Sequence, residues 1–231
     1  TAFIFYGGVT SGAATTKANL KLTGDATDDC FGGSVSSAGD INGDGFDDVI
    51  VGAYQDDVGG SNSGSAFIFY GGVTSGAATT KANIKLTGDA ASDNFGRFVS
   101  SAGDVNGDGK ADIIVGAWQD DDGGSNSGST FIFTLGPSGK MLQYNGDSAS
   151  DSFGYAVSSA GDVNGDGKDD VIVGAYQDDD GGSASGSAFV FYGGGLDGAA
   201  SSKADVKITG DSAGDNFGYS VSFAGDVNGD G

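Results

Sequence analysis

The sequence contains no histidine and no glutamate, so all 32 of its acidic residues are aspartate. Glutamate is a good helix former, whereas aspartate and the 46 glycines favour turns and caps, so we expect essentially no helix. The absence of histidine removes the most frequent general base and a frequent transition-metal ligand. It therefore excludes histidine triads and zinc or haem sites that depend on histidine.

Cysteine, basic residues and long apolar runs are also scarce. The single Cys30 cannot form an internal disulfide. The net charge of −22 argues against a nucleic-acid partner or an anionic membrane surface. No apolar run approaches the roughly 20 residues of a membrane helix, so we expect no direct membrane insertion. With 37% hydrophobic residues, the chain can nevertheless bury a core.

A unit of about 64 residues is repeated along the chain, and an internal repeat governs any prediction of the fold. The aspartate that opens the string Asp-x-Asn-Gly-Asp-Gly recurs at intervals of 64, 58 and 64 residues: Asp40, Asp104, Asp162 and Asp226. The short interval is localised, because residues 134–147 replace the longer segment 70–89. We interpret this as a shortened hairpin loop, which repeat folds tolerate.

Each unit contains four segments with the patterns of short strands. Residues 112–118 and 66–70 represent the second and third strands and are continuously apolar, which predicts that both of their faces are buried. Residues 96–102 and 83–87 represent the first and fourth. An all-β fold of four-stranded antiparallel β-propeller blades fits this pattern best. A stacked β-solenoid is the alternative, although its repeats are usually shorter.

The ends of the chain fall inside a unit, which predicts a segment of a larger ring or array. We divide the chain into the last two strands of one blade (1–29), three blades (30–93, 94–151 and 152–215) and the first strand and partial loop of a further blade (216–231). A four-blade ring closed by pairing of the two ends remains the alternative.

The loop between the first and second strands of each unit carries a pattern typical of calcium sites. Oxygen side chains occupy positions 1, 3, 5 and 9, and glycines at positions 4 and 6 permit a tight coil because they accept positive φ. A carbonyl at position 7 would complete most of a shell of 6 to 8 oxygens. The predicted ligands are Asp40, Asn42, Asp44, Phe46 and Asp48; Asp104, Asn106, Asp108, Lys110 and Asp112; Asp162, Asn164, Asp166, Lys168 and Asp170; and, in the partial loop, Asp226, Asn228 and Asp230. Phe46, Lys110 and Lys168 would contribute the backbone carbonyl, with one Ca²⁺ for each complete loop.

Two other structures share part of this loop pattern. An EF-hand needs a bidentate acid at position 12, but Val51, Val115 and Val173 stand there, so the EF-hand is rejected. The loop could also be only a polar turn, since aspartate, asparagine and glycine are turn residues. Three aspartates that converge without a cation would repel one another, and the full pattern occurs three times, which favours metal binding.

The order of these motifs resembles the FG-GAP repeat of integrin α-subunit propellers and many bacterial surface proteins. The residues that carry the resemblance are Phe31-Gly32 or Phe95-Gly96, then the loop, then Gly52-Ala53-Tyr54 or Gly116-Ala117-Trp118. The chain departs from the family in having an aromatic residue after Gly-Ala and in supplying roughly half of the usual seven-bladed ring. The resemblance implies that the calcium loops lie on one rim of the propeller and that the other rim carries recognition.

The predicted second rim is acidic, with sequences such as 119–124 (QDDDGG). We expect mainly a solvated face, because most charge runs are of this kind. A docking surface for basic partners, or for further cations bridged to acidic glycans, is the alternative. Tyr54, Trp118 and Tyr176 directly follow a buried strand, so we expect them to pack between blades rather than stack on sugars.

The predicted function is a calcium-binding structural or adhesive module, not an enzyme, of an extracellular or cell-surface protein. Extracellular calcium modules bind at roughly 10⁻⁴ to 10⁻³ M, a range in which loops of this kind fill only outside the cell. Its partner would be an extracellular protein or glycan, or further repeats in self-assembly. A glycan-binding, lectin-like propeller is the alternative, and an accessory domain of a secreted hydrolase is a more distant one.

Overall fold

A computed structural model of the protein describes residues 1–6, 13–135, 139–194 and 204–225. Almost every regular element in these ranges is a β-strand. In chain order the elements are β1 (Ala2–Ile4), α1 (Ala14–Lys17), β2 (Leu20–Thr23), β3 (Ser34–Gly39), β4 (Asp48–Ala53), β5 (Ser65–Phe69), β6 (Gly76–Ala77), α2 (Ala78–Lys81), β7 (Ile84–Thr87), β8 (Phe98–Gly103), β9 (Asp112–Ala117), β10 (Ser129–Phe133), β11 (Met141–Asn145), β12 (Ala156–Gly161), β13 (Asp170–Ala175), β14 (Ser187–Phe191) and β15 (Val206–Thr209).

Three four-stranded antiparallel sheets form successive blades. The first blade has the order β3-β4-β5-β7, the second β8-β9-β10-β11 and the third β12-β13-β14-β15. The first strands β3, β8 and β12 lie beside one another, so the blades share an innermost edge. The predicted all-β fold with four-stranded antiparallel blades is confirmed.

The second and third strands of the blades are buried on both faces, as the sequence predicted. On β5, Ala66 and Ile68 belong to the core between the first and second blades. Phe67 and Phe69 on the same strand belong to the core between the N-terminal strands and the first blade. Because side chains alternate across a strand, one continuously apolar strand serves two interfaces.

The phenylalanine of each Phe-Gly pair anchors one of these interfaces. Phe31, Phe95 and Phe153 are 6%, 2% and 2% exposed. Phe95 packs edge-to-face on Phe131 and Phe133 of β10, with ring centroids 5.3 and 6.2 Å apart, and the other two make the same pair of contacts in their own blades. The glycine of the pair also forms a backbone hydrogen bond within its own blade, in which Gly96 N donates to Gly116 O at 3.0 Å.

The N-terminal sheet is assembled from two parts of the chain. Strands β1 and β2 pair antiparallel, as expected for the last two strands of a blade. The two-residue strand β6 then pairs parallel with β2, although it belongs to the connection between β5 and β7 of the first blade. Lys21 N also donates to Ser75 Oγ at 3.0 Å. This connection therefore fastens the first blade to the sheet before it.

One feature differs from the sequence expectation. The repeated segment Ala-Thr-Thr-Lys forms the single-turn helices α1 and α2, whereas the sequence predicts only a hairpin loop in the segment 70–89. Neither is long or apolar enough to span a membrane, and the same holds for every helix in the described ranges. In the segment 216–225, Phe217 forms an isolated bridge with Gly186.

Candidate functional site

The three complete loops lie at one rim, each between the first and second strands of a blade. A β-bulge precedes each loop, with a register shift between Ser37 and Gly39 in the first blade and at the equivalent positions of the others. The glycines at positions 4 and 6 adopt positive φ, 79° at Gly43 and 88° at Gly45. The predicted tight coil is present in all three loops.

The aspartate at position 1 organises each coil. Asp40 Oδ1 accepts hydrogen bonds from Gly43 N at 2.7 Å and Asp44 N at 3.0 Å, and its Oδ2 accepts one from Gly45 N at 2.8 Å. Asp104 and Asp162 make the same three bonds in their loops. The bond from Gly45 N is the main reason why the pKa of Asp40 lies below its usual value. This carboxylate is therefore fixed in place and charged.

The residues at positions 3 and 5 close the coil. Asn42 Oδ1 accepts a bond from Asp44 N at 2.8 Å, and Asp44 Oδ1 accepts one from Phe46 N at 2.9 Å. The third loop repeats both bonds. In the second loop Asn106 instead turns its amide toward Asp112 at 3.1 Å. The side chain at position 3 thus has two orientations across otherwise matching loops.

The aspartate at position 9 is completely buried in every loop. Asp48, Asp112 and Asp170 are each 0% exposed, and Asp48 accepts bonds from Ile41 N at 3.0 Å and Gly71 N at 2.7 Å. Burial raises the pKa of Asp48 and Asp170, and raises that of Asp112 to about 7. The carboxylates at positions 5 and 1 of the same loop add to this effect. Each loop therefore holds negative charge that a cation would neutralise.

The loops present the predicted oxygen donors on one turn, but they do not draw the carboxylates into one tight group. Within the described residues, sets of three carboxylates whose oxygens lie within 4.8 Å of one another occur on the other rim and not in the loops. The carbonyls of Phe46, Lys110 and Lys168 belong to the turns at position 7, while Asp226, Asn228 and Asp230 lie outside the described residues. The all-oxygen donor set suits a hard cation such as calcium.

The opposite rim, which the sequence predicted to be acidic, holds three equivalent clusters of aspartates whose burial was not predicted. They are Asp25, Asp29 and Asp56; Asp89, Asp93 and Asp120; and Asp147, Asp151 and Asp178. In each, one aspartate is exposed and the other two are at most 8% exposed. The expectation of a solvated face is wrong for these buried aspartates, because the connection between blades folds back onto the loop that follows the second strand.

In two of these clusters, a lysine on the fourth strand pairs with the buried aspartate of the loop that follows the second strand. Lys85 Nζ lies 2.8 Å from Asp56 Oδ2, and Lys207 Nζ lies 2.8 Å from Asp178 Oδ2 and 2.6 Å from Asp180 Oδ2. The equivalent residue in the second blade is Gln143, whose amide donates to Asp122 Oδ2 at 2.7 Å. Alignment of the strands that contain Lys85, Gln143 and Lys207 would have revealed this difference from sequence.

The aromatic residues after the second strands pack between blades, as predicted. Tyr155 lies in edge contact with Trp118, at a centroid distance of 5.8 Å, and against Tyr176 at 4.4 Å. Its hydroxyl also pairs with that of Tyr219 at 3.1 Å. These rings are therefore engaged with one another, and the geometry adds no support for stacking on sugars.

Comparison with known proteins places these features in one family. The FG-GAP repeat model matches residues 31–69, 95–133 and 153–191, together just over half of the chain. The chain is similar to integrin alpha pat-2 of Caenorhabditis briggsae, with 30% identity over 220 residues that cover 86% of this chain and 17% of the relative. It is also similar to integrin alpha-PS2 of Drosophila melanogaster, with 34% identity over 176 residues, 69% of this chain and 12% of the relative. The chain thus spans less than a fifth of the length of either relative. Its three matched repeats, each a four-stranded blade with the same coiled loop, show that the chain belongs to the FG-GAP repeat family, with an integrin-α-like β-propeller fold.

Proposed function

We propose that this chain is a calcium-stabilised structural and adhesive module of an extracellular or cell-surface protein. The observation that carries the proposal is the threefold recurrence of one loop that contains a fixed aspartate at position 1 and a fully buried aspartate at position 9. One calcium ion in each complete loop would offset the repulsion among their carboxylates. Similarity to proteins named as integrin alpha chains supports the adhesive role and the location.

The proposed ligands are the ones identified from the sequence. In the first loop they are the side chains of Asp40, Asn42, Asp44 and Asp48 and the carbonyl of Phe46, and the equivalent residues serve in the other loops. Asp44 and Asp48 would move toward the ion, while Asp40 is already held by three backbone N–H groups. Calcium would fix the connection between the first two strands of each blade.

The external location follows from the affinity proposed for such loops. Extracellular calcium modules bind at roughly 10⁻⁴ to 10⁻³ M, so loops of this class fill outside the cell and stay largely empty in a resting cytosol. The partner on the acidic rim would be an extracellular protein, or further repeats of the same kind. The divisions proposed above at residues 29, 93, 151 and 215 would mark where one blade passes to the next.

Calorimetric titration with calcium, combined with melting curves in calcium and in excess chelator, tests the proposal. We expect uptake of one ion for each complete loop and a clear fall in the melting temperature on chelation. Binding only to the folded state stabilises by about 2.7 kcal/mol per site at a hundredfold excess of ligand over Kd. Asp44→Asn should lose one ion. Asp47→Asn is the matched control, because Asp47 is an exposed neighbour in the same loop but not a proposed ligand.

An unchanged melting curve in chelator, together with no heat of calcium binding, would show that the loops are turns only. Nanomolar affinity at every loop would instead indicate an intracellular calcium buffer. Strong, calcium-dependent binding on a glycan array would favour the lectin-like alternative over the adhesive module.

A further inference from the structure

Successive loops of the same rim are in direct contact. Ala111 N in the second loop donates to Asp40 O in the first at 3.3 Å, and Asp169 N in the third donates to Asp104 O in the second at 3.1 Å. The residue at position 8 of each following loop therefore touches position 1 of the loop before it. The three loops therefore form a row in which a backbone hydrogen bond joins each loop to the next.

The lysine at position 7 of the second loop reaches furthest across this contact. Lys110 Nζ donates to the carbonyl of Asn42 at 3.0 Å, so its ammonium lies over the first loop. The side chain covers Gly43 closely, since a β-carbon added there would lie 3.0 Å from Lys110 Cε.

The corresponding lysine of the third loop is placed differently. The alkyl chain of Lys168 crosses Gly107 of the second loop, where an added β-carbon would lie 3.2 Å from its Cε. Its ammonium, however, lies against Gly194. No described atom would lie within 4 Å of a β-carbon at Gly165 in the third loop. Among the described residues, the three loops of one design thus have three different surroundings.

We propose that Lys110 is a resident counter-cation of the first loop, which stabilises that loop when it is empty and lowers its affinity for calcium. The inference rests on the proposed function, because it concerns competition for the same loop. Lys110 would then serve two sites at once, giving its carbonyl to the second loop and its ammonium to the first. Calcium would fill the first loop less readily than the third.

The test uses Lys110→Met in the full chain, because methionine keeps the length and backbone carbonyl of the residue but removes the charge. A positive charge beside a divalent ion in water opposes binding by roughly three- to tenfold in affinity. We therefore expect calorimetry to show one site that binds calcium about three- to tenfold more tightly. In chelator the same variant should melt at a lower temperature than the parent chain.

Three further measurements separate this effect from a general change in packing. Lys168→Met is the matched control and should alter calcium binding much less. In an Asp44→Asn background, where the first loop is disabled, Lys110→Met should leave the remaining calcium affinities unchanged. The difference between Lys110→Met and the parent chain should shrink in about 1 M salt, where the Debye length is about 3 Å.

Equal or weaker calcium binding by Lys110→Met, or an unchanged melting temperature in chelator, would overturn the inference while leaving the proposed function intact. No calcium uptake by the parent chain would overturn both. The two failures are therefore distinguishable in the same titration.

Discussion

The α-carbon of Gly116 in the second blade faces the backbone of Gly154 in the third, and a β-carbon placed on Gly116 would lie 2.0 Å from Gly154 O. The same relationship joins Gly52 to Gly96, also at 2.0 Å. The glycine of each Gly-Ala pair is therefore set against the glycine of the next blade's Phe-Gly pair. This close approach explains why the Gly-Ala pair needs glycine. The Phe-Gly pair needs it for a different reason, since Gly96 has a φ of 82° and a β-carbon there would lie 2.3 Å from Ser65 O of its neighbouring blade.

Gly116→Ala should separate the second and third blades and cost about 3 kcal/mol of unfolding free energy, because the clash is with backbone that cannot move aside. Urea denaturation followed by fluorescence measures the cost. Gly72→Ala is the control: nothing lies within 4 Å of its added β-carbon, so only its φ of 78° is penalised, by about 1 kcal/mol. Equal losses for the two variants would contradict the role of the close backbone contact.

Removing one loop aspartate should loosen one blade more than its neighbours. Asp108→Ala takes away a proposed ligand and the acceptor of Lys110 N, so the turn between β8 and β9 loses its closure. Because coupling in repeat proteins is mainly between nearest neighbours, hydrogen exchange in saturating calcium should accelerate most in the second blade. Uniform acceleration across the three blades would argue against local stabilisation by each ion.

The acidic cluster of the second blade should gain stability from a lysine. Gln143→Lys is expected to bridge Asp120 and Asp122 as Lys207 bridges Asp178 and Asp180. The gain should be about 1 kcal/mol, or several degrees in melting temperature. Lys207→Gln is the reciprocal variant and should cost more, because it leaves the buried Asp178 without its partner. A loss of stability in Gln143→Lys would show that the clusters are not equivalent.

Stability in chelator should fall between pH 5 and pH 7 and level off above. Burial, followed by the charges of Asp120 and Asp89, raises the pKa of Asp93 to about 7 in the folded protein. The pKa of aspartate in the unfolded state is about 3.9, so between about pH 3.9 and pH 7 the folded state holds a proton that the unfolded state has released. The unfolding free energy therefore falls by up to about 1.4 kcal/mol for each unit by which the pH rises. Urea midpoints measured across this range should decline less steeply for Asp93→Asn. An equally steep decline in both proteins would show that Asp93 does not cause the pH dependence of stability.

Cys30 occupies a backbone position that suits asparagine better. Its φ is 54°, and the equivalent residues Asn94, Ser152 and Asn216 have φ of 56°, 57° and 53°. Asparagine tolerates this left-handed region, and Asn94 Nδ2 donates to Gln119 Oε1 where Cys30 Sγ donates to Gln55 Oε1. Cys30→Asn should therefore raise the unfolding free energy by about 0.5 to 1 kcal/mol in thermal denaturation. Cys30→Val, with a β-branched side chain, should lower it.

Periodic features were predictable from sequence, and features that depend on one residue's surroundings were not. The continuous apolar run at β9 predicts a strand that is buried on both faces. Gly43 and Gly45 predict a coil with positive φ. Both features depend only on the local sequence. The burial of Asp93 depends instead on how the connection between blades folds back, which composition does not encode. The reach of Lys110 into another loop depends on the spacing between blades, which a single repeat does not contain.

The pairing of β6 with β2 has a consequence for the mechanical strength of the chain. Backbone hydrogen bonds from this connection cross the joint between the N-terminal sheet and the first blade. In the second blade the corresponding connection is six residues shorter, and its described part supplies no such strand to the edge of β7. That second joint lacks this strand pairing and is held by side-chain packing together with single backbone hydrogen bonds, such as the one from Ala111 N to Asp40 O. Under tension applied along the chain, the first and second blades should therefore part from each other before the first blade leaves the N-terminal sheet.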